Sequence, residues 1–503
     1  MHIKQVLEKS ANEFPQKKAI GFDNHWITYR ELDEASNKVA NTLLGLGMNK
    51  GDHVAILMSH SPEWVTNYFG VVKSGGVAVL LNSALKAPEL DSLLRDSDST
   101  ILLTEKKFSQ TLTSVLPHIP LLKHIIEIDT DSYSNMLANS LSTPPTVDLK
   151  DDDDAVIIYT SGVLGRQKGV VHTHNSLIGT PPIVSAGIQR RREDIIIDPV
   201  RFSHLFGLCE VLIGSIITGS SIVLIPAFTP RTVLEAVERE NATIIFGVPA
   251  IYNTLAMLRD EVLKGYNLSS LRLAVTAGAK SFPQLMQTLE DKFELNLYEV
   301  YGLTEVSAIS ISNFHNRKLG TVGKPICDIK ILDDDGKEVN QEEIGEAVPN
   351  APWVMKGYYK APELTAQVLK DGWFHTGDLV RTDKDGYLEY IEKKSFIVVT
   401  PSGLKIGPSE VEFVLLGHDS IEDAAYVGID DGLGGQIPTA FVALKEGQTA
   451  TAEELAIFCR QSLADFKLPK RIEFLDNVPK TASGKIDRKL LKEMATAPKQ
   501  AKP

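Results

Sequence analysis

The chain has 503 residues, 43% hydrophobic and 23% charged, enough apolar mass for roughly two to four packed domains. Its 52 Lys and Arg against 65 Asp and Glu leave a net charge of −13, which argues against a nucleic-acid backbone as the main partner, since neutralising phosphates takes clustered cations. Cys209, Cys327 and Cys459 lie far apart with no CxxC, so neither a disulfide framework nor a Cys-rich zinc site is expected, and a reducing cytoplasm is the expected compartment. No uncharged apolar run of about 18 residues predicts a transmembrane segment, and MHIKQVLEKSANEF reads as an amphipathic helix without a signal-peptide core.

In chain order, YRELDEASNKVANTLLGLG (29–47) has helical apolar spacing and ends in glycine. DHVAILM (52–58) is a short apolar run suited to a buried parallel strand; PEWVTNYFGVVKSGG (62–76) predicts a helix and VAVLLN (77–82) a strand. The acidic run Asp151–Asp154 reads as a solvated linker before the next strand. The rhythm resumes with SIVLIP (221–226), PRTVLEAVEREN (230–241) and ATIIFGVP (242–249), and predicts an α/β architecture. Near residue 380 the grain becomes finer. DKDGYLEYIEK (383–393) predicts a turn between short strands. EVEFVLLG (410–417), AAYVGI (424–429) and TAFVAL (439–444) read as strands, followed by a helix opened by Thr451 and Glu454 at capping-box spacing. The expected division is a large domain of mixed sheets and helices over 1–391, a connector at 392–395, a small α+β domain over 396–494, and a flexible tail, 495–503.

AVIIYTSGVLGRQKGVVHTH (155–174) carries the strongest chemical signal. A strand runs into Thr160, Ser161, Gly162, Gly165, Lys168 and Gly169, so glycine-rich backbone, two hydroxyls and a cation could surround a polyphosphate. The GxxxxGK[ST] spacing is absent and a strand follows, which excludes a Walker loop. On its own the stretch also suits a long hairpin with glycine turns. His172 and His174 lack a nearby third ligand, and a structural role is expected for both. In LYEVYGLTEVSA (297–308), Tyr301 offers a ring for a nucleobase, and Glu305 a carboxylate for Mg²⁺, which binds one or two carboxylates plus phosphate oxygens. In DGWFHTGDLV (371–380), Asp378 can accept from a ribose diol. VPKTASGKIDRKLL (478–491) sets Lys485 in a glycine-containing loop.

These motifs in this order, with VMKGYY (354–359) and FKLPKRIEF (466–474), resemble the adenylate-forming, acyl-activating superfamily over about residues 25–491. The resemblance implies acid–CoA ligation in two steps: a carboxylate attacks the ATP α-phosphate, then a thiol displaces AMP. It implies a small C-terminal domain that rotates between steps about Lys394. It further implies phosphate binding by Thr160–Gly169, Thr304 as α-phosphate donor, Glu305 as Mg²⁺ ligand and Asp378 as ribose clamp. Lys485 is the expected bridge between carboxylate and phosphate. Nucleotide contacts are implied for Glu299, Tyr301, Gly302 and the TAGAK segment with Gly278 and Ala279. Glu392 takes the place of a nucleotide-facing Arg, and Gly403 lies beside the pantetheine path. ATP, Mg²⁺ and coenzyme A are the implied cofactors, with a carrier protein as the alternative thiol donor; the sequence does not specify an oligomeric state.

Three departures stand out. Val163 and Leu164 replace hydroxyl residues, Glu392 reverses a charge, and 397–408 is one residue longer than the usual pattern. They raise the alternative of a catalytically impaired nucleotide- or acyl-binding paralogue. VRFSHLFGL (200–208) holds no acid for a substrate ammonium. His204 at the acyl-pocket mouth, with Phe206, Gly207 and Leu208, resembles acyl-CoA synthetases, and GVPAIY (247–252) adds apolar lining. A medium- or long-chain fatty acid is expected before an aryl acid. Arg201 reads as a surface residue, with selection of a second carboxylate as the alternative.

Overall fold

The computed structural model describes residues 1–503 except 162–166, 282, 401–403, 432–435, 482–483 and 497–503. The short apolar runs form parallel strands that are buried on both faces, as their lack of alternation requires. Among the described residues one sheet orders Gly357–Tyr358, Gln167–Thr173, Asp154–Ser161, Val77–Leu80, His53–Leu57, Ile101–Thr104 and His124–Glu127. It is parallel from Asp154–Ser161 onward and antiparallel at its other edge. A second sheet has a parallel centre of Ser221–Leu224, Ile195–Asp198, Ile244–Gly247, Leu273–Ala277 and Asn296–Leu303.

Helices fill the space between the sheets. Leu32 and Val39 of Tyr29–Gly45 and Trp64 and Phe69 of Pro62–Lys73 share one apolar core with Ile56 and Leu80 of the first sheet and Ile196 and Ile222 of the second. The first of these helices starts where Thr28 accepts from Glu31 N and the Glu31 side chain takes Thr28 N, a capping box. The parallel strands end near Thr160, the 199–204 loop, Gly278 and Tyr301, which the motifs single out, and near Asn82, which they do not. Ligands of open α/β sheets gather at such carboxyl ends.

The chain packs into two compact units. The first takes Met1–Lys330, Val348–Thr376 and Asp383–Glu389; the second takes Ile331–Ala347, Gly377–Thr382 and the chain from Tyr390. The expected large domain over 1–391 is thus continuous in sequence but not in space. Residues 331–347 and 377–382 join the second unit because their strands pair, with Ile344 opposite Arg381 and Glu346 opposite Leu379. That unit also holds a sheet ordered Ile421–Asp430, Gln436–Leu444, Arg471–Leu475.

EVEFVLLG, expected as a strand, lies in the helix Pro408–Leu416. Pro408 presets the first helical turn, and Val411 and Leu415, spaced for one helical face, enter the core. A short apolar run does not by itself separate strand from buried helix. Thr451 and Glu454 cap Ala452–Arg460 as expected. Among the described residues no helix is long and apolar enough to cross a membrane, and no cluster of His, Cys, Asp and Glu is set to hold a metal by protein ligands alone.

Candidate active site

The hairpin of Asp154–Ser161 and Gln167–Thr173 puts Thr160 opposite Lys168 and Ser161 opposite Gln167. Gly357–Tyr358 extends it, with Tyr358 opposite Val170. Lys168 Nζ stands 4.9 Å from the Tyr358 ring centroid, a cation–π contact that keeps the ammonium over the hairpin. The Tyr358 hydroxyl donates to Glu305 Oε1 at 2.7 Å. Burial first, then the Glu305 charge, pushes the phenol pKa up, so the hydroxyl stays a donor. Met355 N donates to the Glu305 carbonyl at 2.7 Å. His172 Nε2 lies 2.6 Å from the Thr304 carbonyl oxygen, and its Nδ1 lies 3.0 Å from Ser176 Oγ. Burial lowers His172 to about 4, so the ring is neutral and donates through Nε2. His174 is also buried and also lowered to about 4. Both rings are therefore neutral.

Lys168, Thr304 and Glu305 are thus gathered by one hairpin, one short strand and one turn. The residues that gather them, His172 and Tyr358, had no functional role assigned from sequence. VMKGYY agreed with the family pattern, but only the backbone pairing shows why its tyrosine matters.

Beside this cluster, Thr276 lies opposite Glu299 and Ala277 opposite Val300. Gly278, at φ +87°, turns the chain out of its strand, and Gly278–Ala279 therefore leave next to Tyr301. Tyr301 is buried and lies opposite Ser310. Gly302 is required: a Cβ there would stand 1.5 Å from the Ser307 carbonyl oxygen. Glu299 is buried, and desolvation, partly offset by Ser281, raises its pKa to about 8.

On the acyl side, His204 Nε2 lies 3.4 Å from Asn82 Nδ2. Arg201 is half-buried rather than on the open surface, and its Nη1 donates to Ser83 Oγ at 2.8 Å. Phe206 packs against Phe246 with centroids 5.8 Å apart, and the following segment, Gly207–Ile213, is wound as a π-helix.

The other expected residues belong to the second unit. Asp378 opens the strand Asp378–Thr382, is 2% exposed, and accepts from Lys393 Nζ at 2.9 Å. Glu392, expected to face the nucleotide, is buried. Its Oε2 accepts from Ser409 N at 3.0 Å and Ser409 Oγ at 2.6 Å, and its Oε1 from Lys393 N at 3.0 Å. A carboxylate at Ser409 complements the first turn of Pro408–Leu416. Lys394 Nζ pairs with Asp334 Oδ1 at 2.7 Å. Lys485 is exposed, on a turn closed by the pairing of Lys480 with Ile486 and by Thr481 N donating to its carbonyl at 2.7 Å. Gly162, Val163, Leu164, Gly165, Gly403 and residues 497–503 of the tail lie outside the described residues.

A hairpin lysine, a carboxylate tied to the tyrosine beneath that lysine, and a second buried tyrosine thus lie at neighbouring strand ends. The family model for AMP-binding enzyme matches residues 7–359, and that for the AMP-binding enzyme C-terminal domain matches 410–485. The chain belongs to this family and is an AMP-forming acid–CoA ligase, with ATP and CoA as substrates. It is 33% identical to a long-chain-fatty-acid–CoA ligase of Bacillus subtilis, over 98% of this chain and 94% of that protein. It is 32% identical to a feruloyl-CoA synthase of Amycolatopsis, over 95% and 96%. The structure of the anthranilate CoA ligase AuaEII with anthranoyl-AMP superposes with a TM-score of 0.91 at 28% identity, covering 98% of this chain and 97% of that one.

Proposed function

We propose that the enzyme activates a medium- or long-chain fatty acid. Its half-buried Phe206 and the absence of an acidic side chain over 200–208 support an uncharged, apolar acyl group. The fatty-acid name of one similar ligase favours an aliphatic acid, while the feruloyl and anthranilate relatives keep aryl acids as the competitor.

The observation that carries the nucleotide half of this reading is the joint placement of Lys168, Thr304 and Glu305. A carboxylate oxygen of the acid attacks the ATP α-phosphorus and the bond to pyrophosphate breaks; the acid is already nucleophilic, so no general base is needed. The protein's task is to stabilise charge on phosphorus and on the leaving group. Lys168, Thr160 and Ser161 serve the leaving phosphates, the Thr304 hydroxyl the α-phosphate, and Lys485 both carboxylate and α-phosphate. Asp378 holds the ribose. The donor set fits one Mg²⁺: Glu305 Oε1 is taken by Tyr358, and among the described residues Oε2 has no hydrogen-bond partner. A hard cation there would offset phosphate charge. In the second step the CoA thiol gives up its proton to solvent, its sulfur attacks the acyl carbon and AMP leaves, with His204 at the mouth of the acyl pocket.

AMP release with ATP, Mg²⁺ and CoA across octanoate, decanoate, hexadecanoate, benzoate and ferulate tests the acid. Highest kcat/KM on an alkanoate is expected; turnover of the aryl acids alone refutes the assignment.

A further inference from the structure

A buried polar cluster sits behind the Thr304–Glu305 turn. Glu210, in the π-wound Gly207–Ile213 segment, is 2% exposed. Thr180 Oγ1 donates to its Oε1 at 2.6 Å and lies 2.8 Å from Ser307 Oγ, whose hydroxyl also reaches Glu210 Oε1 at 3.5 Å. Arg190, also buried, donates from Nη2 to the Glu210 carbonyl at 2.6 Å. Glu210 Oε2 and Arg190 Nε and Nη1 have no hydrogen-bond partner among the described residues. Ser307 itself is held at φ +61°, opposite Leu303 across the turn that carries Thr304 and Glu305.

Three features here each cost stability: burying a carboxylate and a guanidinium with unmet polar atoms, holding a non-glycine residue in the left-handed region, and interrupting an α-helix with π geometry. An apolar cluster of the same volume would pack at less cost. All three converge on one residue pair, Glu210 and Ser307, which connects the segment following His204 and Phe206 to the nucleotide turn.

We propose that Glu210 is a positioning residue: through Thr180, and by its own longer contact with the Ser307 hydroxyl, it holds Ser307 and so sets where Thr304 and Glu305 meet the nucleotide. This rests on the nucleotide role assigned to that turn above.

Calorimetric titration of MgATP into the full chain tests it. Glu210→Ala and Thr180→Val should each weaken binding about tenfold, the scale of a lost charge-assisted hydrogen bond. Glu210→Gln, whose amide oxygen still accepts from Thr180, should stay within about twofold of wild type. In a Thr304→Ala background, Glu210→Ala should add less than about twofold, because both changes remove the same contact. A general loosening of the fold would instead multiply the two effects and would not be rescued by glutamine; either result overturns the proposal, as does wild-type binding by Glu210→Ala. If Glu210→Ala does not fold, Thr180→Val carries the comparison. Thr304→Ala binding as wild type refutes the nucleotide role of the turn itself, and the proposal with it, whereas loss in Thr304→Ala alone refutes only the positioning role.

Discussion

Carboxylates in the two units are held in opposite ways. Glu305 accepts one neutral donor, the Tyr358 hydroxyl, and among the described residues its other oxygen has no hydrogen-bond partner. Glu392 is buried and both its oxygens are already matched, to Ser409 and to the Lys393 amide. The comparison teaches that motif position identifies a carboxylate but not whether its lone pairs are available. A residue two positions from a hinge can be a nucleotide ligand in one chain and a helix cap in another.

The sharpest way to break this contrast is Glu392→Arg. If Glu392 faced a triphosphate, a cation there would improve ATP binding. As a cap it should fail: the new guanidinium would meet the first turn of Pro408–Leu416 and the field of Arg488, which Glu392 now offsets. Replacing one member of a buried charge set costs about 3–5 kcal/mol, and urea unfolding should register that loss. A variant as stable as wild type with tighter ATP binding would reverse the assignment.

Lys485→Ala comes next in size. Lys485 is exposed on its turn, and the turn itself is closed through the backbone. Acyl-adenylate formation, followed by pyrophosphate–ATP exchange, should fall by about 10²–10³, the scale of one preorganised transition-state donor. Thioester formation from supplied acyl-adenylate should persist. Equal loss in both half-reactions would show that Lys485 serves the fold or both steps alike.

The contrast also shows what was legible beforehand. Motif residues were readable because their chemistry is local: a glycine-flanked strand end at Thr160, a lysine one hairpin away, a carboxylate after a glycine turn. Gly302 was legible as a turn, although not the reason, which is the Ser307 carbonyl in the space of its absent Cβ. The α/β class was legible from the rhythm, since short apolar runs such as DHVAILM recur between segments of helical period. EVEFVLLG misled because eight residues cannot show a period when both faces are apolar. Tyr358, His172 and Glu210 were not legible as site residues. Each acts through a partner distant in the chain, Glu305, the Thr304 carbonyl and Ser307 respectively, and no local spacing encodes that pairing.

Glu210 extends the comparison from ligand carboxylates to a buried one. Burial, offset in part by Thr180, Arg190 and Ser307, raises its pKa to about 7 from an ordinary 4.5. The folded state therefore keeps a proton that the unfolded chain releases, and stability falls as pH rises from 4.5 through about 7. The whole loss is up to about 3 kcal/mol. Glu210→Gln, which does not titrate, should flatten the stability profile over that window relative to wild type while leaving the rest unchanged. An unaltered slope would show that another group titrates there.

The smallest effect separates the two contacts of Tyr358, which hydroxyl and ring make with different partners. Tyr358→Phe removes the donor to Glu305 but keeps the ring beneath Lys168. Tyr358 is buried but Glu305 is only half-buried, so water can reach the freed carboxylate and the loss should lie near the lower end for a bond to a charged group, about 1.5 kcal/mol. It should appear as a weaker dependence of ATP affinity on Mg²⁺, because the bond orients the carboxylate expected to hold the cation. Tyr358→Leu removes both contacts, and the further change should be about 0.5–1 kcal/mol, the range for an exposed cation–π pair. That second increment should appear in ATP binding with and without Mg²⁺ alike, because Lys168 acts on phosphate charge directly. Measuring ATP affinity at low and saturating Mg²⁺ for both variants therefore assigns each increment to one partner. If Phe and Leu behave identically, the ring does nothing for Lys168. If the Phe variant keeps the wild-type Mg²⁺ dependence, Glu305 needs no orienting donor, and the contrast between an offered carboxylate and a matched one rests on burial alone.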